Sequence, residues 1–376
     1  MVPRPIAPML AILDGTRNAD ALRTGFLLRT GIQLDSSQVD AFIKSLDDAF
    51  LLDNQRFQGA MAKVMDNYRS GPFRPSSLAG SAYPNNGDEL REAFDVYCSN
   101  ANADGGGHVL KDGDGGSKRI AGLISPHIDY KRGWRTYAET WQPAQKAVED
   151  AELIILLGTD HSGSPGKLTL TRQDYATPWG QLPTDTSLVD GLVEILGEDG
   201  AFQEEVHHIG EHSVELASVW LHYFAGGKPK RMLPILCGVD ENLVEKGAET
   251  NGVLQDALSF LADVVAEQNT LVVAAGDLSH VGPAFSGSLP LDLAGKARIR
   301  TSDEEWLEVA CTGSSERLAD HMRSKGDATR ICGASPIRYM LAILPETRGE
   351  VVAYDQCPAD EQFGSLVSIA GVLFTE

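Results

Sequence analysis

Residues 153–161 read Leu-Ile-Ile-Leu-Leu-Gly-Thr-Asp-His, a continuous apolar run that ends in a glycine and three polar residues. A short, uninterrupted apolar run is typical of a strand that is buried on both faces of a sheet. Residues 120–124, 232–236 and 271–275 show the same pattern. We therefore expect these runs to be buried strands of one sheet.

The segments around these runs carry apolar residues at helical spacing. The predicted helices are residues 187–196, 214–224, 241–267 (with a break at Asn251-Gly252) and 337–344. Two further apolar runs, residues 351–354 and 366–374, would add strands near the C-terminus. Because strands alternate with helices, the sequence predicts an α/β domain with a central mixed sheet flanked by helices.

The N-terminal segment predicts a small helical module instead. Apolar residues recur at helical spacing from Val39 to Phe50, and a further helix is expected from Gln55 to Arg69. Three short helices would form a winged-helix-like unit, although the segment has no concentrated basic face for DNA. Because Ser70-Gly71-Pro72 breaks the pattern, we predict a helical module over residues 1–72 and an α/β domain over residues 73–376.

Residues 100–116 are rich in Gly, Asp and Asn. This composition is typical of a loop, and we predict one there.

The composition excludes several classes of function. Apolar residues make up 42% of the chain, and the formal net charge is −21, from 53 acidic and 32 basic residues. A surface this acidic repels nucleic acid and anionic membranes. The apolar runs are much shorter than the roughly 20 residues of a membrane span. The five cysteines are widely spaced and odd in number, which does not fit a disulfide framework, so we expect a cytoplasmic protein.

Histidines follow three of the predicted strands at the points where the strands end. His127 follows residues 120–124, His161 follows residues 153–157, and His280 follows residues 271–275. A single histidine in such a position is usually structural. However, ligands of open α/β sheets bind at the carboxyl ends of the strands. Three histidines in equivalent positions therefore predict a functional site.

Such a cluster is suited to a metal ion. Two neutral imidazoles and one anionic ligand form an open site for iron, copper or zinc. Candidates for the anionic ligand are the carboxylates of Asp129, Asp160 and Asp277 and the thiolate of Cys332. Cys332 precedes a predicted helix, whose N-terminus would stabilise the thiolate. The alternative is a small buried cysteine that only fills space.

A second polar group is Glu211-His212-Ser213-Val214-Glu215. Glu211 or Ser213 would cap the following helix, and the functional interpretation places His212 or Glu215 in the cleft. We interpret His207 and His208, which precede this group, as surface residues.

Seven short motifs fall in the order seen in the Memo family, whose bacterial and archaeal members are called AmmeMemoRadiSam system protein B. The motifs are Gly80–Pro84, Ser125–Tyr130, Leu157–His161, Thr177–Gly180, Glu211–Glu215, Asp277–His280 and Cys332–Ile337. The chain thus resembles this family from about residue 78 to the C-terminus. The resemblance implies a fold similar to that of the class III extradiol dioxygenases, which hold non-haem iron(II).

The resemblance also implies roles for individual residues. The metal ligands would be His127, His161 and Cys332. His280 would lie beside the metal as the catalytic acid–base, and Asp277 and His212 would line the same cleft.

The chain departs from the common family pattern in two places. His127-Ile128-Asp129-Tyr130 stands where the pattern has His-Ala-Gly-Tyr, and Thr159-Asp160-His161 stands where it has Pro-Ser-His. Both departures keep the metal-ligating histidines but change the residues around them. The resemblance therefore does not identify the small-molecule substrate.

Three functions fit these residues. The first is an oxidoreductase, similar to a dioxygenase, that uses iron or copper; a thiolate ligand favours copper(I). The second is a non-enzymatic, metal- or redox-responsive partner of a radical SAM enzyme, with the N-terminal module as the docking surface. The third is a hydrolase, metal-dependent in its favoured form, in which zinc or an Asp–His pair activates water.

Overall fold

The apolar runs form adjacent strands of one mixed sheet, as predicted. The computed structural model of the protein describes residues 4–103, 118–240, 243, 252–344 and 346–376. The strands are β1 (Ile120–Ser125), β2 (Leu153–Thr159), β3 (Leu168–Leu170), β4 (Tyr175–Thr177), β5 (Gly180–Leu182), β6 (Met232–Cys237), β7 (Thr270–Ala275), β8 (His280–Val281), β9 (Arg348–Pro358) and β10 (Leu366–Thr375).

The main sheet has the strand order β3-β6-β2-β7-β1-β10-β8, and β9 also pairs with β10. Strands β6, β2, β7 and β1 run parallel to one another. Strands β3 and β10 pair antiparallel with this group. The four parallel strands thus end at the same edge of the sheet, which is where ligands bind in this class of fold.

The described residues also form α-helices. They are α1 (Ala19–Thr30), α2 (Ser36–Asp48), α3 (Gln55–Ser70), α4 (Gly87–Ala103), α5 (Tyr130–Asp150), α6 (Thr186–Leu196), α7 (Glu198–Phe202), α8 (His207–Gly210), α9 (His212–Phe224), α10 (Gly252–Glu267), α11 (Leu293–Ala310), α12 (Ser315–Lys325) and α13 (Ala334–Ile343). The predictions for α6, α9 and α13 are confirmed to within a few residues. Of the predicted helix 241–267, the part from Gly252 is α10. Its earlier part, apart from Leu243, lies outside the described residues.

Strand β2 shows why the sheet is buried on both faces. Leu153, Ile155 and Leu157 pack into one apolar core, and Ile154 and Leu156 pack into a second core on the opposite face. All of them are fully buried, and each such side chain stabilises the fold by about 1.5–3 kcal/mol. A strand with two apolar faces must lie between two layers of helices, as the uninterrupted apolar run predicts.

The chain divides into two compact units, residues 1–67 and 68–376. The first contains α1, α2 and most of α3, with Phe26, Val39 and Phe42 in its own apolar core. Helix α2 begins with a capping box, in which Asp35 accepts a hydrogen bond from the backbone of Gln38. The helical module is thus present, but residues 4–67 contain no strand that could form a wing. The predicted domain boundary after residue 72 stays a prediction.

Residues 100–103 of the loop predicted over residues 100–116 are instead the end of α4, which continues to Ala103. Residues 104–117 lie outside the described part of the chain. No helix among the described residues has the length and apolarity that a membrane crossing requires.

Candidate metal centre

Three of the predicted site residues lie at the ends of adjacent parallel strands. His161 lies two residues beyond β2, Asp277 two residues beyond β7, and His127 two residues beyond β1. These strands are neighbours in the order β2-β7-β1. The sheet itself therefore brings the three residues to one place.

His127, His161 and Cys332 converge tightly at this edge. One ligand atom from each lies within 4.8 Å of the others, and His127 Nε2 is 3.3 Å from Cys332 Sγ. The rings of His127 and His161 have centroids 5.0 Å apart. Ligand atoms around a single metal ion are about 3–4 Å apart, so the three side chains fit one ion.

Hydrogen bonding fixes which nitrogen of His127 is free to bind. His127 Nδ1 lies 3.1 Å from the carbonyl oxygen of Ala275. Because a carbonyl only accepts, Nδ1 carries the proton and Nε2 keeps its lone pair. Burial lowers the pKa of His127 to about 4, which keeps the imidazole neutral and ready to bind a cation.

Glu211 performs the same task for His161. Its carboxylate accepts hydrogen bonds from His161 Nδ1 at 3.0 Å and from the His161 backbone at 3.1 Å. It also caps α9 by accepting from the backbone of His212 and Ser213. Burial works to raise the pKa of Glu211, but the bonds from His161 and His212 outweigh it and hold the pKa well below its usual range. The sequence predicted a helix cap at Glu211 or Ser213. It did not predict that Glu211 also orients the imidazole of His161.

The pKa of Cys332 differs from the prediction. A stabilised thiolate was expected ahead of α13, but burial, with the nearby charge of Asp277, raises the pKa of the thiol well above its usual value. Without a bound cation the group is therefore a thiol. A metal ion would have to displace its proton, as is usual for cysteine ligands.

Two glycines allow Cys332 to reach the strand ends. The backbone of Gly333 donates a hydrogen bond to the carbonyl of Asp277 at 2.9 Å. A Cβ added to Gly276 would lie 2.3 Å from the Cα of Gly333, and one added to Gly333 would lie 2.8 Å from the Cα of Gly276. The two backbones therefore touch where no side chain fits. This close approach brings the turn that carries Cys332 against the cleft.

We expect Gly276→Ala to separate these backbones, because the new methyl group meets backbone rather than a flexible side chain. The free energy of unfolding should fall by about 1–3 kcal/mol, and added metal should be retained more weakly. Chemical unfolding and metal titration would measure the two effects. Gly200→Ala is the matched control, since its added Cβ meets Leu196 at an ordinary 3.6 Å. Unchanged stability and metal retention in Gly276→Ala would contradict this explanation.

The three residues predicted to act beside the metal lie around this cluster in different ways. His212 stacks on His161, with ring centroids 4.8 Å apart. Asp277 accepts a hydrogen bond from the backbone of His127 at 2.8 Å, and its other oxygen lies 3.8 Å from His127 Nε2. His280 lines the same cavity as His161 and Cys332.

The other carboxylates considered as ligands have different partners. Asp129 caps α5 and pairs with Arg132 at 2.6 Å. Asp160 pairs with His207 at 2.9 Å. Together with Glu204 these two residues form a further group of possible donors, and Glu204 also accepts a hydrogen bond from the backbone of Ser164. His161, Glu211 and His212 form another such group, which shares His161 with the main cluster.

Of the two residues expected as alternatives in the cleft, His212 lies beside the cluster and Glu215 does not, and the expectation that His208 is a surface residue was wrong. Glu215 does not enter the cleft; it is fully buried in an ion pair with Arg74. His208 is fully buried rather than exposed, and it contacts the hydroxyl of Tyr175 at 2.5 Å and the carbonyl of Thr169 at 3.0 Å. In both cases the partners of the buried polar side chain lie far away in sequence. Local sequence therefore does not predict these contacts.

Comparison with known proteins identifies the family. The family described as Memo-like protein matches residues 74–373. A MEMO1 family protein of Aquifex aeolicus is 25% identical over 97% of this chain and 90% of its own length. One of Thermus thermophilus is 26% identical over 90% of this chain and 93% of its own length. A second Aquifex protein, 28% identical, aligns over 80% of this chain but 98% of its own length.

These matches cover the sheet, the strand-end histidines and the turn that carries Cys332. They extend over far more than half of the chain. The chain therefore belongs to the Memo family.

Proposed function

We propose that His127, His161 and Cys332 hold one redox-active metal ion, iron or copper, and that the protein is a metal-dependent oxidoreductase acting on a small molecule. The convergence of the three ligand atoms within 4.8 Å carries this proposal. Two imidazoles and one sulfur form an open donor set that suits these metals and also zinc.

Such an ion would offer open coordination positions at which dioxygen or a substrate is polarised. The chain's own residues supply the remaining tasks. Glu211 orients His161, and the carbonyl of Ala275 orients His127. Asp277 fixes the backbone of His127 through its carboxylate. These contacts keep both imidazoles in place before anything binds.

His280 is suited to move a proton. Its Nδ1 lies 2.9 Å from the carbonyl of Leu278 and 3.2 Å from the carbonyl of Arg330. Both partners are acceptors, so Nδ1 carries a proton and Nε2 is left to accept a proton from a substrate or return it. The side chain lines a cavity of about 440 Å³ together with His161 and Cys332, a size typical of small-molecule sites.

Oxygen uptake tests this proposal. The protein, purified without oxygen and loaded with iron(II) or copper(I), should consume dioxygen when catechols or related small molecules are added. His280→Gln should lower the rate by about 100-fold or more while metal content is unchanged. His321→Gln is the control, because His321 lies on α12 but does not line the cavity, and it should have no effect.

Two outcomes would overturn the proposal. One is equal uptake by His280→Gln and the wild type, and the other is no uptake with either metal. Zinc as the only metal retained, with hydrolysis of an ester or amide substrate, would favour the metal-dependent hydrolase. The radical SAM partner stays a prediction that co-purification would test.

A further inference from the structure

Arg330 occupies an unusual position at the wall of the cavity beside the metal ligands. It lies in the left-handed region of backbone conformation, with φ of 58°, which a non-glycine residue adopts at a cost in free energy. Its carbonyl accepts from His280 Nδ1, and its guanidinium donates to the carbonyl of Phe285. The neighbouring Thr329 accepts from the backbone of His280 at 2.7 Å. This turn is thus tied to the His280 segment at three points.

The guanidinium has donors to spare. An arginine offers five N–H donors in a planar fork, and Phe285 takes up one nitrogen. In the part of the chain that the structure describes, no carboxylate pairs with Arg330. The side chain is exposed, so its remaining N–H donors are accessible to a bound molecule.

Arg330 is also the one lysine or arginine among the described residues that line the cavity. Two acids also line it, and only Asp160 has a side-chain partner of opposite charge. Asp160 pairs with His207, and Asp327 accepts a hydrogen bond from the backbone of Ile331 at 2.9 Å. The backbone bond leaves the charge of Asp327 without a cationic partner among the described residues, so Arg330 is the one guanidinium donor in a lining that also contains acids.

The rest of the wall is largely apolar. Val239, Leu243, Phe285, Met322 and Ile331 line the same cavity of about 440 Å³. A molecule bound there would contact apolar side chains over most of its surface and the guanidinium group of Arg330 at one end. Guanidinium forks match carboxylates with two parallel hydrogen bonds.

We infer that the cavity takes a small organic acid with an apolar body, whose carboxylate binds Arg330. The inference rests on the proposed function only in calling this acid the substrate; recognition of the anion needs no metal. Because the same turn carries the carbonyl that orients His280, binding at Arg330 would bring the acid next to the proton-transferring imidazole.

Ligand-observed NMR titration with benzoate and the neutral benzamide tests the inference, using the full chain both freed of metal and loaded with it. The wild type should bind benzoate at least about tenfold more tightly than benzamide in both forms. Arg330→Gln should bring the ratio of the two dissociation constants close to one without changing the constant for benzamide. Arg330→Lys, which keeps the charge but not the fork, should retain part of the preference.

Arg317→Gln is the matched control, since it removes an exposed positive charge outside the cavity; it should leave the ratio unchanged. A ratio near one in the wild type would overturn the inference, as would a preference that survives Arg330→Gln. A preference that appears only with metal and survives Arg330→Gln would mean that the metal, and not Arg330, binds the carboxylate. A preference for benzoate that depends on Arg330 in the metal-free chain would stand even if oxygen uptake failed, so the two proposals fail separately.

Discussion

Glu215→Gln is expected to lower the free energy of unfolding by about 3–5 kcal/mol, because it leaves the guanidinium of Arg74 buried without its counter-charge. Both side chains of the pair are fully buried. Replacement of both residues by apolar ones would cost less, since no charge would then be left unpaired.

The carboxylate of Glu215 also holds the segment that precedes α4 in place through hydrogen bonds. It accepts hydrogen bonds from the backbone of Ser77 at 2.9 Å, from the backbone of Leu78 at 2.8 Å and from the hydroxyl of Tyr83 at 2.6 Å. A neutral amide cannot accept all of these bonds while facing a guanidinium. The variant should therefore loosen residues 74–83 as well as weaken the fold.

The effect should depend on pH in one direction. Burial works to raise the pKa of Glu215, but Arg74 and the bonds from Tyr83 and Leu78 more than offset it, so the pKa is lowered from 4.5. A carboxyl group whose pKa is lower in the folded protein contributes stability above its unfolded pKa, and this stability is lost as the pH falls through the folded pKa. The difference between wild type and Glu215→Gln should thus be constant near neutral pH and shrink below pH 4.5.

Urea unfolding at several pH values would measure this difference. Glu194→Gln, which removes an exposed carboxylate on α6, should change stability by no more than about 0.5 kcal/mol. A loss below about 1 kcal/mol for Glu215→Gln at pH 7 would show that water or another group replaces the lost charge, contrary to the buried ion pair.

The sheet could be predicted from sequence because its strands are buried on both faces. Their continuous apolar runs, such as residues 153–157, leave little choice of structure. The strand-end residues His127 and His161 followed from the same reasoning, since parallel strands must end at one edge.

Other features depend on contacts that local sequence does not encode. The approach of Cys332 depends on Gly276 and Gly333 touching across 57 residues of chain. Likewise, Arg74 and Glu215 lie 141 residues apart. A lone arginine or glutamate carries no periodic signal, so the pair appears only once the fold is known. Only one of the two roles of Glu211 could be predicted. A helix cap is recognisable from local sequence, whereas the hydrogen bond between Glu211 and His161 is not.

Loss of metal is the other large effect. His127→Ala, His161→Ala and Cys332→Ser should each abolish stable binding, because each removes one of the three ligand atoms that converge within 4.8 Å. Glu211→Gln keeps all three ligands but weakens the acceptor of His161 Nδ1. It should lower metal affinity by about 10- to 100-fold rather than abolish binding.

Matched controls separate this effect from damage to the fold. His321→Ala and Cys311→Ser change the same residue types outside the site and should keep full occupancy. Thermal unfolding of each variant would show that the loss of metal does not follow from unfolding, a necessary check because His127 is fully buried.

The most direct test is the metal content of the protein purified without oxygen, measured by inductively coupled plasma mass spectrometry alongside these variants. We predict about one iron or copper ion per chain in the wild type and in both controls, and almost none in His127→Ala, His161→Ala and Cys332→Ser. Full occupancy in the three ligand variants, or no metal in the wild type even after reconstitution with iron(II), copper(I) and zinc, would contradict a metal centre built from these residues.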